Sequence, residues 1–314
     1  MTRKILPAGI DLLKNFTDEL IVNTEDRNIT RQELLENVKG TSAIASMLSD
    51  KIDKEVMETA GPQLKVIANY AVGYNNIDVE EATKRGIMVT NTPDVLTNAT
   101  ADLAWALIMV VSRKIVESDQ YCRDGKFIGW APKLMLGMEL TGKTIGILGA
   151  GRIGQATARR AKAFDMNILY CSRHDKWELE IETKAKRVGL EDLLRNSDIV
   201  SIHLPLADET FHLLDTHELG LMKESAILIN TGRGPIVNEQ ALVDALKAGK
   251  IAGAGLDVFE EEPKIHPDLL KMKNTVLLPH IGSATTETRS KMSEMVAENI
   301  ISALKGETPS NPVN

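Results

Sequence analysis

The sequence predicts an α/β protein built from two doubly wound parallel-sheet domains, one inserted into the other. Three observations predict it. Short apolar runs alternate with stretches of helical periodicity, the pattern of parallel strands joined by crossover helices. The alternation occurs twice, with a long helix-like segment at each seam between the two series. A chain of 314 residues also exceeds the roughly 100–200 residues typical of one domain, so it can bury two cores.

The first series places candidate strands at Arg3–Pro7, Ser42–Met47, Leu64–Tyr70 and Ile87–Thr90, separated by helix-like Arg31–Val38, Asp53–Thr59 and Val79–Lys84. The second places six, at Thr144–Leu148, Asn167–Cys171, Ile199–Leu204, Ala226–Asn230, Ala252–Val258 and Thr275–Leu278. Thr97–Ser118 and Thr285–Leu304 read as the long helices at the seams. The expected layout is therefore discontinuous: residues 1–97 and 286–314 form one domain, and residues 98–285 form the inserted one.

Bulk properties exclude several classes of function. A formal charge of -7 leaves no basic footprint for DNA or RNA, so no nucleic-acid partner is expected. The longest apolar run, Leu103–Val111, is about half of the roughly 20 residues that span a bilayer, so it reads as a buried helix and no membrane association is expected. Met1–Pro7 turns polar before an apolar signal region develops, and the mature protein is expected to start there. Cys122 and Cys171 are far apart and lack metal-ligand spacing, so no metal is expected and a reducing, cytoplasmic setting fits.

The strongest local signal is Gly149-Ala150-Gly151-Arg152-Ile153-Gly154, between the apolar run Thr144–Leu148 and the helical stretch Gln155–Phe164. A glycine triplet at this spacing gains its meaning from that strand-to-helix context, which is the fingerprint of a dinucleotide-binding turn. Gly149 can take the backbone angles of the turn, Gly151 lets the main chain approach a pyrophosphate, and Gly154 lets the helix approach the strand. The first helical amides, at Arg152 and Ile153, then offer donors and a partial positive charge to the phosphates.

An acidic residue at the end of the following strand would hold the ribose 2′-hydroxyl of NAD(H). Here the strand end reads Cys171-Ser172-Arg173-His174-Asp175-Lys176. Ser172 takes the usual acidic place, and Arg173 and His174 add donors that suit a 2′-phosphate. Asp175 dilutes the signal, so NADP(H) is favoured over NAD(H) without excluding it.

A dehydrogenase acting on a small 2-oxo acid needs a cation for the carboxylate and carbonyl and a proton donor beside the hydride acceptor. Three strand ends supply candidates. Arg233, in Thr231-Gly232-Arg233-Gly234, presents a planar fork suited to two oxygens at once. His280, in Pro279-His280-Ile281-Gly282-Ser283, sits in a bracketed loop just past an apolar strand, and His203 is its main rival. A carboxylate would orient the imidazole and favour its protonated form, and Glu262, in Glu260-Glu261-Glu262-Pro263, is the expected partner.

With Gly149–Gly154, Arg233, Gly255-Leu256-Asp257-Val258, Glu262-Pro263 and Pro279-His280 in this order, nearly the whole chain resembles the D-isomer-specific 2-hydroxyacid dehydrogenase family. The resemblance implies a Rossmann-like cofactor domain inserted into a smaller flavodoxin-like substrate domain. It also implies Arg233 as substrate clamp, His280 as acid/base and Glu262 as its partner, with Asp257 on the nicotinamide carboxamide. His203, Pro205, Thr231 and Gly232 would add cofactor contacts. The segment Asn69-Tyr70-Ala71-Val72-Gly73-Tyr74 is similar to the family's substrate loop, whose amides around Val72 and Gly73 would receive the carboxylate, with Ser283 as a further substrate contact; alternatively it is a strand-terminating turn.

Within the family, Ala71–Tyr74, Ser172-Arg173 and Pro279–Ser283 most resemble glyoxylate and hydroxypyruvate reductases. Phosphoglycerate dehydrogenases usually carry the acid that Ser172 replaces, and the superfamily's formate dehydrogenases place Gln where this chain has Pro279. Other family types, including phosphoglycerate and 2-ketogluconate enzymes, remain alternatives, as does a nucleotide-sensing interaction protein on the same fold. The resemblance further implies a homodimer, in which Trp130 either reaches the neighbouring active site or packs within the dimer arm.

Overall fold

The structure, a computed structural model, describes every residue from Met1 to Asn314. In chain order the elements are α1 (Pro7–Phe16), α2 (Arg31–Asn37), β1 (Ala43–Ser46), α3 (Lys54–Ala60), β2 (Val66–Asn69), α4 (Val79–Lys84), β3 (Met88–Thr90), α5 (Thr97–Ser112), α6 (Ile115–Arg123), β4 (Thr144–Leu148), α7 (Arg152–Lys162) and β5 (Asn167–Cys171). They continue with α8 (Trp177–Thr183), β6 (Lys186–Arg187), α9 (Leu190–Asn196), β7 (Ile199–Ile202), α10 (Thr216–Leu221), β8 (Ile227–Asn230), α11 (Glu239–Lys247), β9 (Gly253–Leu256), β10 (Thr275–Leu277) and α12 (Thr286–Leu304). Two compact units result: Met1–Leu96 with Ser283–Asn314, and Thr97–Gly282.

In the first unit β1, β2 and β3 pair in parallel and in sequential order. Alternation along the strands divides the core between the two faces of the sheet. Ile44, Ile67 and Val89 pack with Leu34, Val56, Met57 and Ala82 from α2, α3 and α4. Ala45, Val66 and Ala68 pack with Ile10 and Leu13 of α1 and Val296, Ala297 and Ile300 of α12. Thr30, Asp53 and Asp78 cap α2, α3 and α4, each side chain accepting the amide three residues on. The strand expected at Arg3–Pro7 does not form. Pro7 has no amide to give a ladder and instead opens α1 at its first helical position, and Thr2 contributes one backbone bond to Ala45.

The second unit holds seven parallel strands in the order β10-β9-β8-β7-β4-β5-β6. Strand order reverses at β4, which lies between β5 and β7, so the crevice beyond its C-terminal end is a topological switch point, where open sheets of this kind bind ligands. The seventh strand, β6, was not expected, because Lys186 and Arg187 carry no apolar signal. The helix expected over Thr97–Ser118 breaks into α5 and α6 at Lys114, whose φ is 52°. The amide of Met138 takes the Ser112 carbonyl at 2.8 Å and ends the first helix there. Helix α5 packs on β8, β9 and β10, and its Trp105 stacks on Phe164 while donating to the Thr157 carbonyl. No helix of the chain is long and apolar enough to cross a membrane.

Candidate active site

Strand β4 delivers the chain into Gly149, whose φ of 99° favours glycine. A Cβ on Gly154 would stand 2.1 Å from the Gly149 carbonyl oxygen, so only glycine lets α7 start this close to the strand. A Cβ on Gly151 would meet nothing within 4 Å, which leaves open space above the turn. Helix α7 has no side-chain cap and no acid in its first turn, so the amides at its start are available to an anion. Two buried polar atoms without partners, His203 Nδ1 and Thr231 Oγ1, lie just past β7 and β8 on the same sheet edge. The His203 amide donates to the Leu148 carbonyl, and Gly232 lies against the Leu204 carbonyl. Open space, a helix start without a side-chain cap and unmatched polar atoms together fit a dinucleotide. Pro205 is exposed beyond them.

At the end of β5 the loop Ser172–Lys176 is held from β6. Arg187 donates to the carbonyls of Ser172 (3.0 Å) and Arg173 (2.9 Å) and pairs with Asp175 at 2.8 Å. Asp175 is thereby matched by a β6 residue, while Arg173 and His174 are exposed. Arg187 is a site residue that sequence reasoning missed, since it lies fifteen positions from Ser172 in a strand too short to be seen.

Arg233, Glu262 and His280 are brought together in the second unit. The Asn230 side chain staples the Arg233 turn, accepting from the Gly232 amide and donating to the Arg233 carbonyl, each at 3.0 Å. Arg233 Nη1 donates to the Gly232 carbonyl at 2.8 Å. Burial lowers the pKa of the guanidinium, and the nearby charge of Glu262 opposes that shift. Gly234 is packed so tightly that a Cβ there would stand 1.8 Å from the Phe259 carbonyl oxygen, so the Arg233 turn rests on the segment that carries Glu262. Glu262 accepts the Phe259 amide on one oxygen and meets His280 Nδ1 at 2.8 Å with the other. Its contact to Nδ1 leaves Nε2 of His280 as the nitrogen that can serve a reacting atom.

His280 stands in the left-handed region, with φ 54°. The following amides, of Ile281 and Gly282, donate to the two carboxylate oxygens of Asp257 at 2.7 and 2.8 Å. Asp257 is almost wholly buried. Burial pushes its carboxyl up from the ordinary value, while the two amides and His280 pull it back. Asp257 therefore anchors the His280 loop, a task its sequence position did not reveal.

His203, the rival proton donor, lies elsewhere on the same sheet edge. Its Nε2 faces Ser201 Oγ at 2.9 Å and no carboxylate approaches it; burial lowers its pKa to about 3, which keeps it neutral where an acid would be needed. Val72 and Gly73 lie in the first unit, in the loop after β2. Ser283 also belongs to that unit, its carbonyl accepting the Thr285 amide at the approach to α12. Trp130 is 85% exposed.

Comparison with known proteins bears on the whole chain. Residues 105–282 match the family model described as D-isomer specific 2-hydroxyacid dehydrogenase, NAD binding domain. The chain is 54% identical to a glyoxylate reductase of Thermococcus litoralis, covering 100% of this chain and 96% of the relative. It is likewise 54% identical to a glyoxylate reductase of Pyrococcus horikoshii, covering 100% and 95%. Among solved structures, a glyoxylate reductase from Paecilomyes thermophila superposes with a TM-score of 0.87 at 38% identity, over 99% of this chain and 96% of that one. An NADPH-dependent glyoxylate/hydroxypyruvate reductase from Sinorhizobium meliloti, in complex with NADP and malonate, superposes with a TM-score of 0.86 at 34% identity, over 99% and 94%. Sheet order, glycine turn and the full-length matches agree: the chain belongs to the D-isomer-specific 2-hydroxyacid dehydrogenase family.

Proposed function

We propose that this chain reduces glyoxylate and hydroxypyruvate to the corresponding 2-hydroxy acids, the D form where the product is chiral, using NADPH in preference to NADH. The carrying observation is the 2.8 Å contact of His280 Nδ1 with Glu262, beside an Arg233 whose basicity responds to that same carboxylate. In this reading Gly149, Gly151, Arg152, Ile153 and Gly154 would hold the pyrophosphate, and Ser172, Arg173 and His174 would receive the 2′-phosphate. His203, Pro205, Thr231, Gly232 and Asp257 would contact the nicotinamide half, and a reduced nicotinamide held there would supply a hydride for the keto carbon. Arg233 polarises the carbonyl and stabilises the growing alkoxide, which His280 Nε2 protonates, while Glu262 holds the imidazole in place through Nδ1. Val72 and Gly73 receive the carboxylate, and Ser283 is a further substrate contact.

The NADPH preference is supported by the absence of an acid at residue 172 and by Arg187, which neutralises Asp175 and leaves Arg173 exposed. A homodimer is part of the same proposal, because Phe127, Ile128 and Trp130 are 59%, 97% and 85% exposed in one stretch of a single chain. A reducing, cytoplasmic setting suits the two free cysteines. The test is a matrix of kcat/KM for NADPH and NADH against glyoxylate, hydroxypyruvate and other short 2-oxo acids. His280→Gln is expected to bind NADPH normally and to lose roughly 100-fold or more in kcat. Undiminished turnover in that variant would remove His280 from the chemistry, and nucleotide binding without turnover by the wild type would favour a sensor.

A further inference from the structure

The loop after β2 carries three successive carbonyl groups that are each held by a different donor of the first unit. The Ala71 carbonyl accepts the Thr92 amide at 2.9 Å. The Val72 carbonyl accepts Asn91 Nδ2 at 2.8 Å, and the Gly73 carbonyl accepts Asn69 Nδ2 at 2.9 Å. Across a planar trans peptide the carbonyl and the next residue's N–H point in opposite directions. Turning these three carbonyls toward Thr92, Asn91 and Asn69 therefore turns the amides of Val72, Gly73 and Tyr74 away from them. None of the three amides donates to a backbone carbonyl of the chain. Three successive amides with no backbone acceptor are donors of the kind that can serve an anion.

The donors are themselves fixed. Asn69 ends β2, is wholly buried and accepts from Ser46 Oγ at 3.0 Å while exchanging contacts with the Asn76 side chain at 3.2 Å. Asn76 in turn donates to the carbonyls of Met47 and Asp50. Asn91 follows the neighbouring strand β3, and its backbone bonds to Asn311 and Asn299. A neutral amide suits both places. It donates to a carbonyl without setting a cation beside the anion site, which would hold the ligand by charge and not by direction.

We propose that Asn91 and Asn69 are positioning residues for the substrate carboxylate: by holding the Val72 and Gly73 carbonyls they aim the amides of Gly73 and Tyr74, as Thr92 does for Val72. This rests on the reading of the chain as a 2-oxo acid reductase and specifies how that site recognises its anion. The variants belong at Asn91, because Asn69 is tied into the core. Asn91→Ala removes the donor. Asn91→Asp keeps the size and shape but faces the Val72 carbonyl with an acceptor.

The experiment measures KM and kcat for glyoxylate, the affinity of NADPH-loaded protein for oxamate as an unreactive probe, NADPH binding and the melting temperature. Asn91→Ala is expected to raise KM and weaken oxamate about tenfold, and Asn91→Asp to do so further. kcat at saturation should stay within about threefold and NADPH binding should be unchanged, the split expected when ground-state binding alone is lost. Wild-type turnover with unaltered KM and oxamate affinity in both variants would overturn this proposal and leave the reductase reading in place. So would parallel losses of melting temperature, NADPH binding and kcat, which mark a merely structural role. If the wild type neither reduces a 2-oxo acid nor binds oxamate, both readings fall.

Discussion

His203 and His280 each stand just past a strand of the same sheet, one with its ring against Ser201 and the other held by Glu262. Their residue type and position in the sequence are nearly equivalent, so the sequence left both open as proton donors; what separates them is burial and the carboxylate, which depend on packing. The same burial makes His203 a pH sensor of stability. Its pKa of about 3 in the folded chain lies below the roughly 6.5 of an unfolded chain. Between those values the unfolded state binds a proton that the folded state does not. This residue therefore costs nothing above about pH 6.5 and destabilises the fold progressively as pH falls toward 3. His203→Gln is expected to flatten that part of the pH dependence of the melting temperature; an identical pH slope in the variant would contradict the burial argument.

Among the elements, those with their own apolar pattern were legible and those made by a neighbour were not. β4, β7 and β8 are almost wholly buried runs and β5 alternates between buried and half-buried residues after an exposed Asn167; the residues that follow these strands supplied the glycine turn, Ser172, His203 and Arg233. β6 exists because Leu169 and Tyr170 of β5 offer a free edge to Lys186 and Arg187. The asparagines that hold the Val72 loop were illegible for a similar reason, since Asn91 meets a carbonyl nineteen positions away. β6 nonetheless bears on cofactor choice. Arg187→Ala should release Asp175 and loosen the Ser172–Arg173 turn, raising KM for NADPH about tenfold with little change for NADH. Equal effects on both cofactors would mean that β6 serves the fold alone. Gly234 adds a constraint of another kind: the Arg233 turn and the Glu262 segment share a backbone contact, so neither can be remodelled without the other.

For the whole molecule, two compact units are built from one chain that leaves the first, completes the second and returns. The alternating pattern occurs twice along the chain and is carried by strand and helix periodicity, whereas the pairing of copies depends on surfaces. The proposed homodimer predicts a two-subunit species by sedimentation at micromolar concentration, and Ile128→Asp with Trp130→Ser should shift it to monomer. A wild type that stays monomeric throughout would argue against that arm as an interface. The return of the chain has a consequence for biogenesis. One face of β1–β3, with Ala45, Val66 and Ala68, is covered by α12 as well as α1, and α12 follows the whole of the second unit along the chain. During translation the second unit can mature while the first-made strands wait with that face only partly covered, so the nascent chain carries a misassembly risk until α12 is made.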